Sequence, residues 1–249
     1  MIAIKNEAQI EIMKKSGAIL AEIMAELKES VEVGMKTQEL EEKAQVLVKK
    51  RGVECSFKGY RDYPACLCTS LNEEIVHVPP SGKKIGEGDL FSLDMGIKFK
   101  SYHADLAFTV GLKEVPPQAS ELMEVTREAL QESMERVKPG NTLGDVGHII
   151  QRKAEQSGFS VIKELCGHGI GRDIHQAPQV LNVGEPGKGL ELEPGMTLCL
   201  EPMIAMGKGE VVRTENGHGF KTKDNSLSAH FEHTVLVTEQ GYEVLTTAD

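Results

Sequence analysis

Four carboxylates stand in strings that otherwise read as buried strand. Asp94 lies in SLDMG, Asp105 in HADLAF, Glu201 just after TLCL and Glu232 just before HTVLV. No Lys or Arg adjoins them in these strings. Like charges facing each other on a sheet destabilise it, and bare carboxylates are costly to bury. If the two strands form a hairpin, the odd separation of Asp94 and Asp105 permits a register that sets the two directly opposite, with Cβ atoms about 5 Å apart. A divalent ion, or two, would relieve the repulsion. Exposed edge positions and a calcium site remain open as alternatives, but calcium favours loop oxygens without imidazole, and imidazoles are close at hand. The stretch CGHGIGRDIHQAPQV, residues 166–180, supplies His168 and His175, with Gly167, Gly169 and Gly171 permitting close backbone approach. Its glycines lack the strand–G-x-G-x-x-G–helix context of a dinucleotide site, and no G-K-[ST] follows to make a phosphate loop. Four carboxylates and an imidazole suit manganese, iron or cobalt better than a structural zinc.

These side chains need elements to carry them. Apolar positions Ile12, Ile19, Ile23 and Leu27 predict an amphipathic helix over 7–29. A second helix is expected over 37–51, with Thr37 as N-cap and Gly52 closing it. Strands are expected at 89–99 and 101–112, helices at 117–137 and 142–157, and strands again at 196–206, 230–238 and 242–246. The order repeats: VEVGMKTQELEEKAQVLVKKRG at 31–52 resembles VKPGNTLGDVGHIIQRKAEQSG at 137–158, and GEGDLFSLDMG at 86–96 resembles EPGMTLCLEPM at 193–203. Asp94 then corresponds to Glu201, and Asp105 to Glu232. Two related halves, roughly 1–115 and 116–249, would form one catalytic domain with the site in the cleft between them.

Bulk composition narrows the function classes. A net charge of -10 with 4% aromatic residues and no Trp argues against binding nucleic acid or anionic membranes. No apolar run is long enough to span a bilayer, and the N-terminal string has no secretory core. The five cysteines, Cys55, Cys66, Cys68, Cys166 and Cys199, form no C-x-x-C pair and read as reduced thiols of a cytoplasmic protein.

The spacing D-x(10)-D, then G-H-G-I-G-R followed by His175, then L-E-P, then S-L-S-A-x-F-E-H, resembles methionine aminopeptidases of the short bacterial type, over residues 2–247. The resemblance implies a mixed α/β pita-bread fold, with pseudo-two-fold halves around a central antiparallel sheet. It implies two divalent ions (Co, Mn, Fe or Zn) held by Asp94, Asp105, His168, Glu201 and Glu232, with Asp105 and Glu232 bridging. It also implies Glu201 as acid/base for the attacking water, His77 assisting proton transfer, and His175 stabilising the tetrahedral intermediate. A methionine pocket would use Tyr60, Tyr63, Cys68, His77, His175, Ile174 and His218. The implied reaction is removal of initiator methionine from nascent chains at the ribosome, by a monomer that prefers a small second residue. Only 31 positions separate Glu201 from Glu232, which fits the short type. Val78-Pro79-Pro80, Gln176-Ala177, Ile174, His218 and His230 depart from the family's usual residues. His230 is expected on the strand face of Glu232, as a hydrogen-bond partner behind the ligands, and His233 on the opposite face. An Xaa-Pro peptidase and a non-catalytic binding module are the competing readings on the same fold.

Overall fold

The computed structural model describes residues 2–247. Helix Glu7–Glu29 begins at Asn6, whose side chain accepts from the Gln9 N–H while the Gln9 side chain accepts from the Asn6 N–H, both at 3.0 Å. This reciprocal cap satisfies two donors that a helix start leaves open. Helix Thr37–Arg51 ends at Gly52, which is left-handed as expected; its N-cap is Lys36, with Thr37 the first helical residue. Helices Pro117–Met134 and Leu143–Gln156 follow. The first of these stops short of the expected end at 137, and Thr142 caps the second through the Asp145 N–H.

A nine-stranded antiparallel sheet carries the rest. Its path runs Glu54–Cys55, Leu90–Phe99, Tyr102–Gly111, Glu232–Val237, Thr197–Leu200, Cys166–Gly169 and Gln176–Leu181, with Leu67–Leu71 and Tyr242–Val244 as side partners. The first half's hairpin is continuous: its two ten-residue strands pair from Leu90↔Gly111 to Phe99↔Tyr102. Lys100 and Ser101 join them, both at positive φ, which is the turn whose twist matches a two-residue hairpin. The second half differs from expectation. The segment 196–206 divides into Thr197–Leu200 and Met203–Ala205, and the expected strand 230–238 is Glu232–Val237, with His230 ending a separate strand, Ser228–His230. Met203–Ala205 and Ser228–His230 pair with each other in a separate three-stranded sheet. Pro202 has no N–H to give a ladder, which breaks the strand just past Glu201.

Alternation sets the two faces of the large sheet. Phe91, Leu93, Met95, Ile97, Ala104, Leu106 and Phe108 point to the first two helices and form one core with Leu20, Ile23, Leu27 and Leu40. Leu198, Leu200, Val235 and Val237 point to the last two helices and meet Leu122, Val146 and Ile150 in another. Fully burying each such side chain contributes about 1.5–3 kcal/mol. The opposite face is left for Asp94, Asp105 and their partners. Cys55 and Cys66 form a disulfide, Cα atoms 5.1 Å apart. This corrects the expectation that all five thiols are reduced; the spacing of eleven residues gave no sign that the intervening loop doubles back. Cys68, Cys166 and Cys199 are free. No described helix is long and apolar enough to cross a membrane.

Candidate metal centre

The ladder explains how the acids meet. Gly96 pairs with Asp105, and Asp94 with Ala107, so the two aspartates lie diagonally, two residue pairs apart on one face, and not in the directly opposite register that their odd separation also permits. The two-residue turn at Lys100–Ser101 fixes this register; a different loop would have shifted it. Glu232 pairs with Ala107 from the other side. Thr234 pairs with Cys199, and Cys199 with His168. Thr234 is tied to Asp105: its hydroxyl accepts from the Asp105 N–H and donates to the Asp105 carbonyl, both at 2.9 Å. Two rows therefore cross the sheet on one face. One runs Gly96, Asp105, Thr234, Cys199, His168. The other runs Asp94, Ala107, Glu232 and, continuing the register one step past Leu200, Glu201. Small residues, Gly96, Thr234, Cys199 and Ala107, lie among the larger polar ones and open space beside the carboxylates.

Ligand atoms of Asp105, His168, Cys199 and Glu232 all lie within 4.8 Å of one another and all four residues are buried. His168 Nε2 stands 3.8 Å from an Asp105 oxygen and 3.6 Å from a Glu201 oxygen. Its Nδ1 lies 3.0 Å from the Gly169 carbonyl, so Nδ1–H donates there and the Nε2 lone pair faces the acids. Glycine is required on either side: a Cβ at Gly167 would strike the Cys199 carbonyl, and one at Gly169 the Ala177 carbonyl.

Electrostatics shows what is missing. Burial, reinforced by neighbouring carboxylates, pushes Asp105, Glu201 and Glu232 well above the carboxylate range, and burial alone raises Asp94. Asp94 Oδ1 and Glu232 Oε1 are buried without a hydrogen-bond partner. No Lys or Arg pairs with any of the four among the described residues. Unpartnered carboxyl oxygens beside an imidazole held neutral, at about 4 by burial, fit divalent metal binding. Exposed edge positions are excluded, since the four acids are at most 9% exposed.

The remaining candidates gather around this centre. The His175 ring lies 4.3 Å from the His168 ring and 5.1 Å from Tyr60. Burial, with the neighbouring imidazoles next, lowers His175 to about 3. Tyr63, Cys68 and Ile174 share an apolar cluster with Phe57 and Cys199, and Tyr60 packs on it. His218 meets Tyr63 edge-on at 5.7 Å. His77 adopts a left-handed backbone, φ 59°, uncommon for a bulky residue and typical of functional turns; its ring lies 5.9 Å from Phe220. His233 faces away as expected, bonded to Thr246 at 2.8 Å. Sequence reasoning missed Phe57 and Cys199. Cys199 was legible in TLCLE, two positions before Glu201 and hence on its face.

Known proteins complete the picture. A chain from Bacillus subtilis called methionine aminopeptidase 1 is 39% identical over 246 residues, covering 99% of each chain. A crystal structure of a methionine aminopeptidase from Thermotoga maritima matches with a TM-score of 0.97 and 42% identity, over 99% of this chain and all of that one. A prolidase from Pyrococcus horikoshii, 23% identical with a TM-score of 0.80, shares the fold over 99% of this chain and 64% of its own. The architecture is thus the pita-bread fold, as the sequence led us to expect. A model of metallopeptidase family M24 matches residues 11–239, and with the full-length similarity to the Bacillus protein this establishes that the chain belongs to that family.

Proposed function

We propose that this protein is a methionine aminopeptidase that removes the initiator methionine from nascent polypeptides and prefers a small second residue. The observation that carries the reading is the two-row cluster of buried, partly unpartnered carboxylates facing His168, in a chain similar throughout to proteins of that name. Its 249 residues act as one catalytic domain of two pseudo-repeated halves. It works in the cytoplasm as a monomer on chains leaving the ribosome, without nucleic-acid or membrane contacts of its own.

Asp94, Asp105, His168, Glu201 and Glu232 would hold two divalent ions, with Asp105 and Glu232 offering their carboxylates from adjacent strands. Two such ions would supply a nucleophile at neutral pH and Lewis acidity toward the scissile carbonyl; whether they are cobalt, manganese, iron or zinc depends on availability. Glu201, with a carboxyl inclined by burial to hold a proton, takes the proton of the attacking water and passes it to the departing amine. His175 stays neutral at physiological pH and donates a hydrogen bond to the developing oxyanion. His77 is also held neutral, at about 4 by burial and then the charge of Arg213, and contacts the scissile amide. Tyr60, Tyr63, Phe57, Cys68 and Ile174 form the apolar wall for the methionine side chain, with His218 against Tyr63. Just past His77, Val78, Pro79 and Pro80 line a cavity of about 660 Å³ with Thr69, Thr214 and Asn216, where the rest of the peptide would run.

The test is hydrolysis of Met-Ala-Ser against Ala-Pro, with and without added manganese or cobalt, on protein assayed for bound metal. Metal-dependent methionine release is expected. Preference for Ala-Pro would turn the reading into an Xaa-Pro peptidase, and no bound metal with no hydrolysis would leave a binding module.

A further inference from the structure

We propose that His230 is a metal ligand in its own right, binding through Nε2 the ion held between Glu201 and Glu232 and giving the centre a second imidazole. This rests on the metal-centre reading above.

The break at Phe231 decides where this side chain goes. Ser228–His230 belongs to the three-stranded sheet and Glu232–Val237 to the large one, yet both His230 and Glu232 reach the same chamber. The main chain is pinned there: the Thr109 hydroxyl accepts from the His230 N–H and donates to the His230 carbonyl, both at 2.9 Å. The ring is 1% exposed, and neither nitrogen has a hydrogen-bond partner. Leaving a buried polar group unsatisfied costs about 1–3 kcal/mol, so a ring with two such atoms calls for something to fill the gap.

The distances indicate what fills it. His230 Nε2 lies 3.7 Å from Glu201 Oε2 and 4.0 Å from Glu232 Oε2. These are too long for hydrogen bonds. Two donors bound to one ion at about 2.1 Å stand roughly 3–4.2 Å apart, depending on the angle at the metal. His168 stands in the same relation to the other oxygen of Glu201, at 3.6 Å, so one carboxylate is flanked by an imidazole at each end. His168 also has a carbonyl behind its Nδ1, which His230 lacks. The alternative is a water between His230 and the centre, which would make the imidazole a neighbour and not a ligand.

Affinity alone does not separate these, because losing either kind of group weakens metal binding by about 10–100-fold. Counting imidazoles does. In the cobalt-loaded protein, X-ray absorption should show one fewer coordinated imidazole in His230→Gln than in the wild type, with the cobalt Kd raised at least tenfold. An unchanged count overturns the proposal, whatever the Kd. Should the variant not fold, zinc titration of wild-type protein carrying ¹⁵N-histidine serves instead. The His230 Nε2 resonance is expected to move into the metal-bound range, and one that stays at its unbound position overturns the proposal. Wild-type protein that takes up no stoichiometric cobalt or zinc would overturn the metal-centre reading itself, a different result from metal bound without His230.

Discussion

The two halves of the molecule contribute two carboxylates each and hold them by opposite means. In the first half, Asp94 and Asp105 sit inside a continuous hairpin, fixed by ladder bonds on both sides. In the second, Glu201 and Glu232 sit at strand ends beside a break, one before Pro202 and one after Phe231. A ladder fixes short side chains precisely in register but presents only what alternates on that face. A break lets the chain leave and return, and here it brings in imidazole, His230 from the neighbouring sheet, beside His168, which the ladder holds opposite Cys199. The first half thus supplies charge, and the second supplies charge together with neutral nitrogen donors.

The strongest challenge to this comparison is to remove one central acid from each half. Asp105→Asn and Glu232→Gln should each lower kcat/KM on Met-Ala-Ser by on the order of 10³-fold or more while the fold persists, since electrostatic groups at a reacting centre are each worth about 10²–10³ in rate. Near-normal turnover in either metal-loaded variant would show that the halves are not equivalent and would remove that residue from the proposed ligand set.

A second challenge uses pH on the metal-free protein. The four acids have folded-state pKa values above their unfolded ones. Where that holds, the folded state binds more protons, so stability falls as pH rises toward the folded pKa values. The buried histidines, including His168 at about 4 and His230 at about 3, act in the other direction, losing stability as pH falls below about 6.5. Above pH 6.5 the histidines drop out. Chelated protein should therefore lose stability between pH 6.5 and 8, by about 1.4 kcal/mol per pH unit for each proton released. Metal-loaded protein should not. Thermal melts with and without chelator, at several pH values, measure the difference. A flat profile for the chelated protein would mean that burial does not hold these acids above the carboxylate range.

A third test compares local supports. Cys55→Ser removes a cross-link of eleven residues' separation in the first half, and loop closure sets its stabilisation near 3 kcal/mol. Thr142→Ala removes a helix cap in the second half and should cost about 1 kcal/mol. Urea unfolding of both variants ranks them. The cysteine variant should also raise KM for methionyl substrates, because the enclosed loop carries Phe57, Tyr60 and Tyr63; an unchanged KM would detach that loop from the pocket.

Much of this was legible in the sequence, and the exceptions have physical causes. Long periodic segments such as 7–29 and alternating apolar stretches such as 89–99 announce themselves because one local pattern governs their whole length. The acids were legible for the opposite reason, as charges that contradict such a pattern. The diagonal placement of Asp94 and Asp105 was not, because register hangs on the turn, and Lys100–Ser101 lacks the Asn or Gly that usually marks positive φ. The strand breaks at Pro202 and Phe231 were missed because apolar alternation continues across them. The disulfide depends on where distant segments meet, which no local string records, whereas the inward face of His230 follows from its alternation with Glu232.

Ala107 carries a consequence beyond the reaction. It sits between Asp94 and Glu232 in the ladder, each paired to it directly, so those acids stand two strand spacings apart, about 9.6 Å across the sheet, with only a methyl group on the floor between. The sheet therefore works as a ruler. Its graduations are main-chain hydrogen bonds, so repacking Leu93, Leu106 or Phe108 on the underside should soften the protein long before it changes the gauge of the chamber above.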